Sequence, residues 1–114
     1  MSRVVETAAF RVRDEVTEER LVEASAEFQR QFLDRQPGFI RRELLKLSDR
    51  DYVDLVHWRS GADAAAVLER ATASAACQRY FSVMDPDFAD VGAGVTHYTS
   101  LAVYPASAEE QVLA

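Results

Sequence analysis

The stretch Gln36-Pro37-Gly38-Phe39-Ile40, followed by two strand-like runs that end at Trp58-Arg59-Ser60, restricts the fold of this chain more than any other feature. Pro37 cannot continue a helix and Gly38 tolerates positive φ, so the pair stops one element and turns the chain into the next. The residues that follow read as a hairpin. One strand covers Phe39 to Leu47, Ser48-Asp49-Arg50-Asp51 supplies the turn, and a second strand covers Tyr52 to Trp58.

Elements of matching type flank the hairpin. Val4 to Val12 alternates, is rich in β-formers and reads as a strand that ends at Arg13-Asp14-Glu15. Thr17 offers an N-cap oxygen, and Glu18 and Glu19 place negative charge where a helix dipole favours it. Leu21, Ser25, Phe28 and Phe32, with Val22 and Leu33 beside them, form one stripe on a helix running to about Arg35. Beyond the hairpin, Ser60 is a good N-cap for an Ala-rich helix over Ala62 to Ala71, whose Ala64, Val67, Leu68 and Ala71 line one face. A further helical piece over Ser74 to Val83 carries Cys77, Tyr80, Phe81 and Met84 at helical spacing, until Asp85-Pro86-Asp87 breaks it. Gly92-Ala93-Gly94 loosens the chain before a last strand over Val95 to Tyr104, which Pro105 closes. The tail, Ala106 to Ala114, is expected to fray or form a short helix.

The order β-α-β-β-α-β is the split βαβ pattern of a ferredoxin-like α+β domain. A single domain over residues 1–114 is expected, with its core at about 4–104 and a C-terminal tail at 105–114. Right-handed crossovers put the first and third strands at the centre of an antiparallel sheet and the second and fourth at its edges. Helices cover one face of such a sheet, yet both parities of these strands carry apolar or aromatic side chains. A second covering layer is implied, and the simplest one is another copy of the chain, giving a homodimer.

Charge and composition narrow the function classes. The chain is 48% apolar and 28% charged, the balance of an ordinary globular protein, and its longest apolar runs are too short to span a bilayer, so no membrane partner is expected. A net charge of −6 argues against nucleic acid, because phosphate-binding proteins concentrate Lys and Arg. The N-terminal segment lacks an apolar secretory stretch and Cys77 is the lone cysteine, so a cytoplasmic location is expected. Two His, one Cys and scattered acids show no close metal-ligand spacing, and the dispersed glycines form no phosphate loop. Neither a metal nor a nucleotide cofactor is expected.

Among residues able to carry chemistry, His97 leads, because imidazole titrates near neutral pH and can serve as acid or base. Asp54 lies mid-strand among apolar neighbours, where a carboxylate is expensive unless paired, hydrated or functional. If both share a face they stand about 10 Å apart across the first strand, with Ala8 and Ala9 leaving room for a small aromatic ligand. The structural alternatives are a half-exposed His97 and a salt bridge from Asp54 to Arg41 or Arg42. Trp58 and Tyr80 are candidate pocket residues. Phe81 is a pocket candidate whose spacing favours the core, Cys77 reads as a buried thiol beside the same pocket, and His57 as structural or exposed.

With these residues in view, the chain resembles the antibiotic biosynthesis monooxygenase-like proteins of the dimeric α+β barrel superfamily. Pro37-Gly38-Phe39 opening a strand, the strand ending in Trp58 with Ser60 starting a helix, and the segment Ser74 to Phe81 carry the resemblance, which spans about Val4 to Tyr104. It implies two sheets packed face to face and a small-molecule pocket between each sheet and its helices. It also implies a cofactor-independent enzyme acting on an aromatic or polyketide-like metabolite, for which His97, chosen on its own chemistry above, is the candidate base. Isomerisation or cyclisation by the same base, and a non-catalytic binding or stress-associated homodimer, are the alternatives. Haem-degrading relatives depend on an Asn in the first strand and a His on the later helix; this chain has no Asn, and Ser74 to Val83 has no His. The oxygenase branch commonly holds its phenolate with Asn, Trp and Arg, of which Trp58 matches in kind.

Overall fold

Thr17 opens the first helix as its spacing requires, its Oγ1 accepting the Arg20 N–H at 3.1 Å. The computed structural model describes residues 2–87 and 94–106, and places β1 at Val4–Arg11, α1 at Glu18–Gln31, β2 at Phe39–Lys46, β3 at Asp51–Trp58, α2 at Gly61–Ala71, α3 at Ala75–Phe81 and β4 at Val95–Thr99. Helix α1 stops short of the expected Arg35, and a 3-10 turn over Leu33–Arg35 replaces its last turn. Pro37 forces Gln36 into extended backbone, so the α-ladder has to be released before it; the Gln36 side-chain amide donates back to the freed Phe32 carbonyl at 3.1 Å.

The turn after Pro37 depends on Gly38 for two reasons. Its φ is +81°, a region that favours glycine, and a Cβ there would lie 2.3–2.6 Å from the Asp63 side chain. Asp63 is held in that place by the start of α2. Its N–H donates to Ser60 Oγ at 3.2 Å, while the Ser60 hydroxyl donates to Asp63 Oδ2 at 2.9 Å. The Gly38 carbonyl accepts the Arg59 N–H at 2.7 Å, so turn, strand end and helix start form one packed corner. Gly94 has a comparable role at the start of β4, where a Cβ would sit 2.5 Å from the Ala9 carbonyl oxygen.

The four strands form one antiparallel sheet in the order β2-β3-β1-β4, with β1 and β3 central as the crossover rule requires. Register decides which parity meets the helices. Cross-strand partners place Val4, Glu6, Ala8 and Phe10 on one face with Trp58, Val56, Asp54 and Tyr52, with Arg42 and Leu44 of β2, and with His97 of β4. Every second residue of β3, from Tyr52 to Trp58, is buried under the helices. The opposite face presents Val5, Thr7, Ala9, Val53, Leu55, His57, Leu45 and Tyr98.

The core divides into two clusters, one around Phe10, Leu21, Tyr52 and Tyr80 and the other around Leu33, Val56, Trp58 and Cys77. Phe28 packs against both. The last strand is shorter than the sequence pattern suggests: pairing ends at Thr99, and Ser100 N–H makes one further bond to the Arg3 carbonyl. β1 begins at Val4, so alternating residues beyond Ser100 have no neighbouring strand, and Leu101 is 93% exposed. The expectation for the tail falls almost wholly outside the described residues. Among the described residues, no helix is long and apolar enough to cross a membrane.

Replacing Gly38 by Ala is expected to lower stability by about 2 kcal/mol or more, since it adds both the left-handed backbone cost and an overlap with Asp63. Urea unfolding measures this, and a midpoint equal to the parent's would contradict the corner described here.

Candidate functional site

Between the two core clusters, Arg42 reaches inward from β2 with its side chain only 5% exposed. Its Nε donates to Asp54 Oδ1 at 2.9 Å, and Nη2 lies 2.8 Å from the same oxygen. Nη1 faces the Ser25 carbonyl at 3.2 Å and Gln29 Oε1 at 3.4 Å, while Nη2 donates to Ser25 Oγ at 2.8 Å and to the Tyr80 hydroxyl oxygen at 2.9 Å. The guanidinium carbon lies 5.1 Å from the Phe28 ring centroid and 5.3 Å from that of Tyr80, beside the stack those two rings form. Every N–H of this buried cation therefore has an acceptor.

Asp54 closes the network by accepting the Tyr80 hydroxyl at 2.7 Å. Burial pushes the Asp54 carboxyl above its ordinary value, and the Arg42 charge and Tyr80 hydrogen bond pull it part of the way back. Burial, reinforced by the adjacent carboxylate, pushes the Tyr80 phenol well up, so Tyr80 remains a neutral donor. Of the two readings of Asp54, the ion pair with a β2 arginine is what the geometry contains, and the partner is Arg42.

His97 lies on the same sheet face as Asp54, but the two do not form a pair. Ala8 stands opposite Asp54, whereas His97 stands opposite Glu6, one inward-facing position along β1. His97 Nε2 is 2.9 Å from Glu6 Oε1; the His97 side chain is 42% exposed and that of Glu6 only 16%. Two separate polar groups result. One is the buried set Arg42, Asp54, Tyr80 and Ser25, and the other is the edge pair Glu6 and His97.

The other expected residues separate as well. Trp58 is 1% exposed, and among the described residues no acceptor reaches its indole Nε1, although that atom is buried. Tyr80 is core and also part of the Arg42 network. Phe81 overturns its core reading: it is the last residue of α3 and 42% exposed, because Tyr80 and Cys77 take the inward positions of that short helix. Cys77 is a fully buried free thiol, and burial pushes its titration up, which makes it a poor nucleophile. His57 faces the opposite side of the sheet, where partial burial and the charge of Arg41 hold it below the usual histidine range.

Glu6, Ser25 and Gln29 were not singled out by residue type. The signal that could have found Glu6 is register, since a central-strand acid two places from Ala8 has to share a face with residues of β3 and β4. Among the described residues no group of three or more His, Cys, Asp or Glu is placed to hold a metal ion. An open cleft of about 460 Å³ lies at the other end of the sheet, lined in part by Ala9, Tyr52, Val53 and Gly94; Ala9 faces away from the expected gap beside Ala8, because neighbouring strand residues alternate faces, and none of His97, Asp54, Trp58, Tyr80, Phe81 and Cys77 lines the cleft.

Comparison with known proteins agrees with this architecture. The family model for antibiotic biosynthesis monooxygenase matches residues 3–82. SnoaB, a cofactor-independent oxygenase from Streptomyces nogalater, is 19% identical with a TM-score of 0.65, over 92% of this chain and 97% of that one. A monooxygenase from the gene ActVA-Orf6 of Streptomyces coelicolor, in complex with nanaomycin D, is 18% identical with a TM-score of 0.65, over 93% and 94%. A conserved protein from Methanosarcina mazei is 14% identical with a TM-score of 0.62, over 89% and 95%. At these identities the likeness establishes the fold. Among curated proteins no sequence matches the chain.

The buried network predicts an asymmetry between single and double replacement. Arg42→Met leaves the Asp54 carboxylate buried without its cation and should lower stability by about 3–5 kcal/mol, whereas Arg42→Met with Asp54→Leu should recover most of the loss. A double-mutant cycle by denaturant unfolding measures the coupling; near-zero coupling would show that the two side chains act independently.

Proposed function

The chain belongs to the antibiotic biosynthesis monooxygenase family, and on that premise we propose that it is a cofactor-independent oxygenase of a small aromatic or polyketide-like metabolite, with His97 as the base. The observation that carries the reading is the Trp58 indole N–H, buried on the sheet face shared with His97 and Asp54 and without an acceptor among the described residues. An unsatisfied buried donor costs about 1–3 kcal/mol, and a ligand oxygen docking between sheet and helices would recover it. The chemistry needs one base and dioxygen. His97 takes a proton from an activated C–H group of an electron-rich aromatic substrate; the carbanion passes one electron to dioxygen, the radical pair joins to a peroxide that takes the proton back from the His97 imidazolium, and loss of water from the hydroperoxide leaves a ketone or quinone. The SnoaB likeness supports oxygenation without a cofactor, and the neighbour bound to nanaomycin D supports a small-molecule ligand on this fold.

Binding without turnover is the competing reading. It is favoured by the engagement of Asp54 with Arg42 and Tyr80, which leaves that carboxylate no free acceptor role toward a substrate. Isomerisation or cyclisation by the same base is separated from oxygenation by dioxygen uptake alone.

The same premise extends to assembly as a homodimer in which the outer sheet faces meet. Val5, Val53 and Leu55 are half-buried in one chain and offer a self-complementary apolar patch between edge residues. The lone Cys77, free and buried, fits a reducing cytoplasm.

With a hydroxyanthrone as probe, oxygen-electrode traces are expected to show uptake that His97→Gln reduces by about 10²-fold or more, with KM little changed. Trp58→Phe should weaken probe binding while leaving thermal stability equal or higher, because it removes the orphan donor. A parent-like rate in His97→Gln would remove His97 as the base, and no uptake by the parent would leave the binding reading.

Dimerisation should weaken with acid. His57 lies on the sheet face proposed to meet the partner and already titrates below the ordinary histidine value in one chain; covering it in the dimer disfavours the imidazolium further, so association is complete above about 6.5 and weakens as pH falls below it. Sedimentation is expected to show more of the 12.8 kDa species at pH 5.5 than at pH 7.5, and less difference in His57→Gln. A monomer at both pH values and micromolar concentration would refute the dimer.

A further inference from the structure

Glu6 is a carboxylate on the central strand of the sheet, and among the described residues its polar partner is an imidazole, not an arginine or lysine. A pair built only for stability would more naturally supply a permanent cation there. We infer that Glu6 is a positioning residue that fixes the tautomer of His97, an inference that rests on His97 acting as the base. An ionised carboxylate accepts hydrogen bonds and donates none, so the ring nitrogen facing it, Nε2 at 2.9 Å, carries the hydrogen. The neutral ring is then left with its lone pair on Nδ1, which becomes the atom that takes a proton. The carboxylate is 16% exposed against 42% for the ring, so the hydrogen bond that orients the ring is partly shielded from water. The arrangement has the logic of a base oriented by an acid that does not itself exchange the proton. β1 supplies the rigidity: Glu6 is flanked on both sides by paired strands, whereas His97 sits on an edge strand with one neighbour.

Ring-nitrogen NMR on ¹⁵N-histidine-labelled, ligand-free protein tests the tautomer without any substrate. The neutral His97 ring of the parent is expected as the Nε2–H form alone. In Glu6→Gln, where the side-chain amide can either donate or accept, a mixture with the Nδ1–H form should appear, and Glu6→Ala should give a mixture as well. A parent ring protonated on Nδ1, or a tautomer unchanged in both variants, would overturn the inference. Kinetics with the hydroxyanthrone probe give the second readout: Glu6→Gln should lower kcat by about 10-fold or more at unchanged KM, with Glu6→Asp recovering part of it. A parent-like rate in Glu6→Gln beside an impaired His97→Gln removes the role of Glu6 alone. A parent-like rate in His97→Gln removes the base, and with it both readings.

Discussion

Burying a guanidinium is affordable only when every N–H finds an acceptor, and the interior of this protein is arranged around meeting that demand for Arg42. Its acceptors come from three elements: Asp54 of β3, Ser25 and Gln29 of α1, and Tyr80 of α3. The cation therefore acts as a cross-link between the edge strand that carries it, the neighbouring strand and both helices above them. Tyr80 contributes twice, by accepting from Arg42 and donating to Asp54, and its ring stacks on Phe28 with centroids 4.6 Å apart. Displacing any one of these groups would strand a charge or a donor in a poorly hydrated layer, which is why the geometry of α1 relative to α3 is tightly specified.

That cross-link also divides the chemistry of the sheet face. Asp54 is committed to Arg42 and Tyr80, so the acid that sequence reasoning paired with His97 serves the interior. Glu6 takes its place beside the histidine. The exchange follows from register: the β1 position opposite Asp54 is Ala8 and the one opposite His97 is Glu6, two residues away on the same face. Trp58 lies two inward-facing positions from Asp54 on β3, in the second core cluster, and its indole N–H is the group of that cluster whose hydrogen-bonding capacity the fold leaves unused.

The helices cover one face of the sheet, and the other face keeps an apolar character that a single chain does not fully hide. Val53, Leu55 and His57 alternate with fully buried partners along β3, so each step along the strand changes environment from helix-covered core to half-buried surface. The inverse pattern explains why both parities of the strands are rich in β-branched and aromatic residues.

Element order, the break at Pro37-Gly38, the caps at Thr17 and Ser60 and the central position of β1 and β3 were legible in the chain itself, because each rests on local backbone chemistry or on the handedness of crossovers. The strand ends were less so: alternation continues past Thr99, but a strand exists only where a neighbour accepts its hydrogen bonds, and β1 starts at Val4. Phe81 was misread for a related reason, since helical spacing names a stripe but the length and placement of α3 decide which residue of the stripe is inside. The sequence by itself determined that an acid on β3, an arginine on β2 and a histidine on β4 would have to find partners in or near a packed layer. Only the tertiary structure decided that Asp54 goes to Arg42 and Tyr80, and His97 to Glu6, because pairing depends on strand register and on the height at which α1 and α3 cross the sheet, and neither is encoded in any one segment.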